Sequence, residues 1–173
     1  MEFRAIFPGT FDPVHFGHLD VIQRAAAIFG PVAVVVLINP AKSPWFSAEE
    51  RMAMVAEALG DVKGVAVRQS RDLAVRAARA LGATLLIRGV RNAADWAYEA
   101  ALAEANRRLD PAVHTVFMAT DPSWAHLSSS LVKEMAAFGA DLSSAVPAVV
   151  AQRLHDRVRT QNTPSPKAPS GRG

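Results

Sequence analysis

The sequence contains no cysteine. Neither a disulfide framework nor a thiolate metal site can form, which suits a reducing compartment. No uninterrupted apolar run is long enough to cross a bilayer. The opening Glu2-Phe3-Arg4-Ala5-Ile6-Phe7 is a short strand-like stretch, not the basic and apolar start of a signal peptide. A cytoplasmic protein with no membrane partner is the expectation. Gly-x-x-x-x-Gly-Lys-Ser/Thr does not occur, nor does Gly-x-Gly-x-x-Gly, so P-loop and nicotinamide or flavin chemistry lack their main support. Nothing resembles a Ser–His–acid elbow. Blocks of like charge are missing too. The net charge of +3 and pI of about 9.8 come from scattered Lys and Arg, and aromatics are only 7%. That scarcity of stacking groups argues against an RNA-binding module, so no nucleic-acid partner is expected. Composition alone leaves open whether these cations meet a small phosphorylated ligand or a duplex.

What the sequence does have is alternation. Half of its 173 residues are hydrophobic, enough for one compact domain, here taken as 1–159. Strands are expected at Phe3–Phe7, Val32–Ile38, Gly64–Gln69, Thr84–Arg88 and Val113–Ala119. Helices are expected at Gly17–Phe29, Ala48–Leu59, Asp72–Leu81, Ala94–Leu109, Ser128–Phe138 and Pro147–Arg159. Ser47 and Glu50 have capping-box spacing, and Gly30-Pro31 and Gly82 are stop signals. Strand and helix alternating five times predicts an α/β fold. Its form is a doubly wound, Rossmann-like parallel sheet of five strands with helices on both faces. From Thr160 the chain becomes Pro- and Ser-rich, and 160–173 is expected to be a disordered tail.

Ligands in such sheets bind beyond the carboxyl ends of the strands. The unusual polar residues fall there. Gly9 to His18 follows the first strand, with His15-x-Gly17-His18 at the mouth of a helix, where unpaired N–H groups favour phosphate. The pair of histidines could equally be solvated or structural; no carboxylate or cysteine completes a zinc set. Asp12 is expected to order the turn between Gly9 and Pro13. Lys42, Arg88 and Arg91 bring cations to the same rim, and Arg88 ends the apolar run Thr84-Leu85-Leu86-Ile87. Ser128-Ser129-Ser130 opens a helix, where one serine is needed as a cap and three exceed that need. Glu99 reads by default as a solvated helix face. Trp124 either packs in the core or stacks on a base.

Together these segments resemble the bacterial phosphopantetheine adenylyltransferases of the HxGH nucleotidyltransferase superfamily. The matching pieces are Gly9-Thr10-Phe11-Asp12-Pro13 with His15-x-Gly17-His18, Pro40 to Pro44, Ser47 to Arg51, Ile87 to Arg91, Asp95 to Glu99, and Leu127 to Glu134. They span roughly residues 1–159. The related nicotinate mononucleotide adenylyltransferases share the first of these; the short chain and Ser-Ser-Ser-Leu-Val-Lys-Glu favour the former. The resemblance implies transfer of AMP from ATP to 4′-phosphopantetheine with Mg²⁺, giving dephospho-coenzyme A and pyrophosphate. It further implies a homohexamer and feedback inhibition by coenzyme A. Carried onto this chain, His18 would hold the ATP phosphates and stabilise the transition state. Thr10 would orient the attacking phosphate, and Lys42 and Arg88 would grip acceptor and transferring phosphates. Gly89, Arg91 and Ser128 to Ser130 would cradle nucleotide and pyrophosphate. Phe11, Val90, Glu99, Trp124, Ala125, His126 and Leu127 would complete the ATP site. Ala74, where the family usually has a larger apolar residue, would lie near the pantetheine arm.

Overall fold

The computed structural model describes residues 3–162. Its elements run β1 (Ala5–Gly9), α1 (Phe16–Phe29), β2 (Val32–Leu37), α2 (Ala48–Leu59), β3 (Val65–Ser70) and α3 (Ala74–Ala80). They continue with β4 (Leu85–Val90), α4 (Ala93–Leu109), β5 (His114–Ala119), α5 (Ser129–Ala137) and α6 (Ala148–Asn162). All five strands are parallel, in the order β3-β2-β1-β4-β5. The α/β, doubly wound reading therefore holds.

Strand residues alternate between two cores because successive side chains point to opposite faces. Ala5, Phe7, Val32, Val34, Val36 and Ile87 join Ile22 of α1, Met54 of α2 and Leu154 of α6 on one face. Ile6, Ala33, Val35 and Leu86 meet Ala77 and Ala78 of α3 on the other. At roughly 25 cal/mol per Å² of apolar surface, this two-sided burial is the main force holding the sheet. Helix starts obey the expected chemistry. Ser47 accepts the Glu50 N–H at 3.1 Å while the Glu50 carboxylate accepts the Ser47 N–H at 2.7 Å. Gly30 closes α1 at φ 84°, a conformation an L side chain rarely adopts.

Several boundaries differ from expectation, and three of these shifts change where a residue or segment is placed. β4 runs on through Gly89 and Val90, so Arg88 sits inside the strand instead of at its end. β1 extends through Pro8 and Gly9. α6 continues to Asn162, so 160–162 are helical and not tail; the Thr160 hydroxyl donates to the Asp156 carbonyl at 2.9 Å, continuing the helix's polar outer face. The remainder of the expected tail lies outside the described residues. Among these residues no helix is long and apolar enough to cross a membrane.

The feature that makes a site is at the centre of the sheet. β1 pairs with β2 over five residues but with β4 only at Ala5–Leu85 and Ile6–Leu86. Beyond Ile6 the two strands part. Pro8, which has no N–H to give, stands in the stretch past the end of that ladder. The side chain of Arg88 spans the gap, its Nη1 donating to the Pro8 carbonyl at 2.9 Å. α1 leaves β1 toward one face and α4 packs with α3 on the other, which is the topological switch point of a doubly wound sheet.

Candidate active site

A cleft of about 550 Å³ opens over this gap. Its lining includes Thr10, Phe11, His18, Lys42, Arg88, Gly89, Arg91, Glu99 and Ser128 to Ser130. These are residues from five separate segments of the sequence, brought to one sheet edge.

The loop after β1 sets the first wall. Phe11 adopts φ 50°, a left-handed conformation that costs a non-glycine residue about 1–2 kcal/mol. In return its ring is buried and meets His18 edge-on, centroids 5.1 Å apart. His15 stacks flat on His18 at 3.7 Å. The backbone N–H of His15 donates to His18 Nδ1 at 3.3 Å. An Nδ1 that accepts leaves the proton on Nε2, so His18 presents an N–H donor to the cleft. Burial first, then His15, Arg91 and Arg88, hold its pKa well below the usual 6.5. His15 is lowered to about 3, by burial and then by Arg91. Both rings are neutral at pH 7. His15 Nδ1 is itself buried without a hydrogen-bond partner. Gly17 is required beside these rings, since a methyl there would lie 3.2 Å from the His15 imidazole.

Two arginines share one mode of attachment. Arg88 donates from Nε and Nη2 to Glu99, both at 2.6 Å, and from Nη1 to the Pro8 carbonyl. Arg91 donates from Nε and Nη2 to Asp95, at 2.6 and 2.9 Å, and from Nη1 to the Leu127 carbonyl at 2.6 Å. Each bidentate pair fixes the guanidinium plane and leaves two of its five N–H groups for a ligand. The hydrogen bond from Arg91 holds the Asp95 carboxyl below its usual range, and the same bond raises the arginine. Asp95 and Glu99 lie four apart on α4, so one helix face orients both cations. Glu99 is thus buried, not solvated as its helix position suggested; the arginine it faces repays its desolvation.

The opposite wall carries Lys42, whose Nζ donates to the Thr10 hydroxyl at 3.2 Å. Its loop is pinned from beneath by two buried groups. Asp12 accepts the Trp45 and Phe46 N–H groups, both at 3.0 Å, and pairs with Lys133 at 2.9 Å. This corrects the expectation that Asp12 orders its own turn: it reaches across to the loop after β2. Arg51, 3% exposed, donates to the carbonyls of Thr10, Leu37, Phe46 and Ser47. Burial lowers its pKa, with Asp12 acting against that.

The serines divide their work. Ser128 caps α5 by accepting the Leu131 N–H, and the Ser129 hydroxyl donates to the Pro13 carbonyl. Ser130 faces the cleft without either duty. Other expected residues lie off its wall. Trp124 packs against Phe16, ring centroids 6.1 Å apart, the core alternative of its two readings. Leu127 is buried in the core and contributes its carbonyl to Arg91. Val90, Ala125 and His126 do not line the cleft, and Ala74, at the start of α3, packs against the second core. Arg51, Asp95 and Lys133 stood in the matching motif pieces without an assigned role, and Thr120 was not singled out at all. For Arg51 there was a signal: it falls in the buried stripe of α2 with Met54, Val55 and Leu59.

Residues 6–135 match the cytidylyltransferase-like family. The chain is 44% identical over 155 residues to a phosphopantetheine adenylyltransferase of Caldanaerobacter subterraneus subsp. tengcongensis, covering 90% of this chain and 97% of that protein. It is 47% identical over 152 residues to one of Prochlorococcus marinus strain MIT 9303, covering 88% and 97%. A solved structure from Vibrio parahaemolyticus, provisionally described as a nicotinate-nucleotide adenylyltransferase, superposes with a TM-score of 0.68. It covers 94% of this chain and 98% of its own at 17% identity, a likeness of fold.

Proposed function

From the premise that this chain belongs to the phosphopantetheine adenylyltransferases, within the cytidylyltransferase-like family, we propose the following account of its reaction. The enzyme transfers AMP from ATP to 4′-phosphopantetheine, releasing pyrophosphate and dephospho-coenzyme A. An oxygen of the acceptor's phosphate forms the new bond to the α-phosphorus as the bond to the β-phosphate oxygen breaks. That oxygen is already nucleophilic at neutral pH, so no general base is needed. Catalysis then rests on in-line placement and on donors aimed at the phosphoryl oxygens.

The observation that carries the residue assignments is the meeting of His18, Lys42, Thr10, Arg88 and Arg91 at one cleft. Thr10 and Lys42, bonded to each other, hold the acceptor phosphate. The Nε2–H of His18 donates to the transferring phosphoryl group. The free N–H groups of Arg88 and Arg91, with the backbone N–H of Ser129 and the hydroxyl of Ser130, hold the β and γ phosphates that leave.

Among the described residues no group of three His, Asp or Glu side chains could hold a metal ion. The cleft carboxylates Asp12, Asp95 and Glu99 are each occupied by a cation. Mg²⁺ would be held mainly through the phosphates of ATP and would offset their charge. The remaining assignments are a cytoplasmic homohexamer restrained by coenzyme A. Outward-facing Trp96 and Tyr98 on α4, 51% and 68% exposed, support self-association.

The test is pyrophosphate release from ATP with 4′-phosphopantetheine or nicotinate mononucleotide as acceptor. Release with the first and none with the second is expected. The reverse pattern would overturn the assignment.

A further inference from the structure

One buried polar group on the cleft wall has no task in the scheme above. Thr120 follows β5, is 9% exposed and lines the cleft. Its backbone N–H donates to the Val90 carbonyl, while its hydroxyl makes no hydrogen bond among the described residues and is not sealed from the cleft. A hydroxyl unpaired within the protein and reachable from the cleft is free to bond a ligand that enters there.

Its neighbours say what kind of group that is. Thr120 sits between two glycines. A methyl at Gly89 would lie 3.6 Å from its Oγ1 and 3.4 Å from Val21 Cγ2, and a methyl at Gly17 would lie 3.4 Å from its Cγ2. Gly17, Val21, Gly89 and Thr120 thus form a wall of small and apolar surface on the β4–β5 side of the cleft. None of the four carries charge. Phosphates are drawn to the cations at Lys42, Arg88 and Arg91, whereas a flat uncharged heterocycle fits a wall whose lack of side chains allows close approach. A threonine hydroxyl can donate to a ring nitrogen or accept from an exocyclic amine.

We propose that the Thr120 hydroxyl hydrogen-bonds the base of the nucleotide and so contributes to nucleotide selection, a contact made by the side chain that follows β5. This rests on the nucleotidyltransferase reading, and equilibrium binding separates the two. Thr120→Val keeps the shape and removes the hydroxyl. Calorimetry on the full chain should show ATP and 2′-deoxy-ATP both weakened roughly five- to twenty-fold, since a base contact ignores the ribose 2′-hydroxyl. Inorganic tripolyphosphate should bind as it does to the unchanged protein, and the melting temperature should not fall. Thr120→Ser should restore ATP binding to within about three-fold. In turnover, the KM for ATP rises while the KM for 4′-phosphopantetheine stays within two-fold. ATP affinity within two-fold of the starting protein in Thr120→Val overturns the proposal. So does a loss shared by tripolyphosphate, a loss confined to ATP over 2′-deoxy-ATP, or a starting protein that does not bind ATP. A protein that binds ATP through Thr120 yet releases no pyrophosphate with 4′-phosphopantetheine overturns the acceptor assignment and leaves this contact standing.

Discussion

His18 accepts a backbone N–H on Nδ1 and lies against the buried ring of His15, so in the proposed reaction it would act as a neutral donor fixed in one tautomer. Its replacement by alanine should lower kcat by about 10²–10³, the usual effect of losing one donor to a developing phosphoryl charge. Pyrophosphate release checks this, with circular dichroism to show that the variant is folded; near-normal turnover would refute the role. The same pair of rings ties stability to pH. Unfolded, both histidines take up a proton below about 6.5; folded, His15 does so only at about 3 and His18 well below 6.5. The native state binds fewer protons in that window, so stability falls as pH drops beneath 6.5, by about 1.4 kcal/mol per pH unit per histidine. Above 6.5 the contribution is complete and flat. Urea midpoints at pH 7.5 and 5 should show this loss, and His15→Gln should show a smaller one. Equal losses would remove His15 as a cause.

At the scale of elements, a strand edge needs its loops locked before it can hold a ligand. Arg51 of α2 bonds four carbonyls drawn from the end of β2 and from the loops after β1 and β2. Arg51→Met fills similar volume but orphans those acceptors, and a loss of roughly 2–4 kcal/mol in denaturant unfolding is expected. The acceptor KM should rise as well, because the Lys42 loop is no longer fixed; an unchanged midpoint would show the network to be dispensable. This element was partly legible in the sequence. The Ser47–Glu50 box appeared where expected, and Arg51 stands at helical spacing from Met54, Val55 and Leu59, a signal of burial that the sequence reading did not use. Glu99 was not legible. Its neighbours Ala94 to Leu109 describe an ordinary exposed helix, and only the tertiary contact with Arg88 buries it. Asp12 failed for the same reason: local spacing suggests a turn, while its partners are 33 and 34 residues away.

For the whole molecule, alternation of strand and helix specified the class of fold and the edge that carries the chemistry. It did not specify the order β3-β2-β1-β4-β5, since strand neighbours are chosen by packing and not by sequence proximity. Nor did it reveal the parting of β1 from β4, which depends on where one ladder stops. The exposed Trp96 and Tyr98 belong to this scale too. Light scattering should give a mass about six times 18.5 kDa, and Tyr98→Glu, a charge at a position 68% exposed, should shift it to smaller species. A Tyr98→Glu protein of unaltered mass would place the contact elsewhere.

Asp95 and Glu99, two of the three acidic residues of α4, clasp separate guanidinium groups within the cleft, while Trp96 and Tyr98 flank them and are exposed. A single rigid rod therefore joins the ligand cradle to the outer surface. Because both guanidinium forks take their orientation from this one helix, a shift of α4 would tilt the two together.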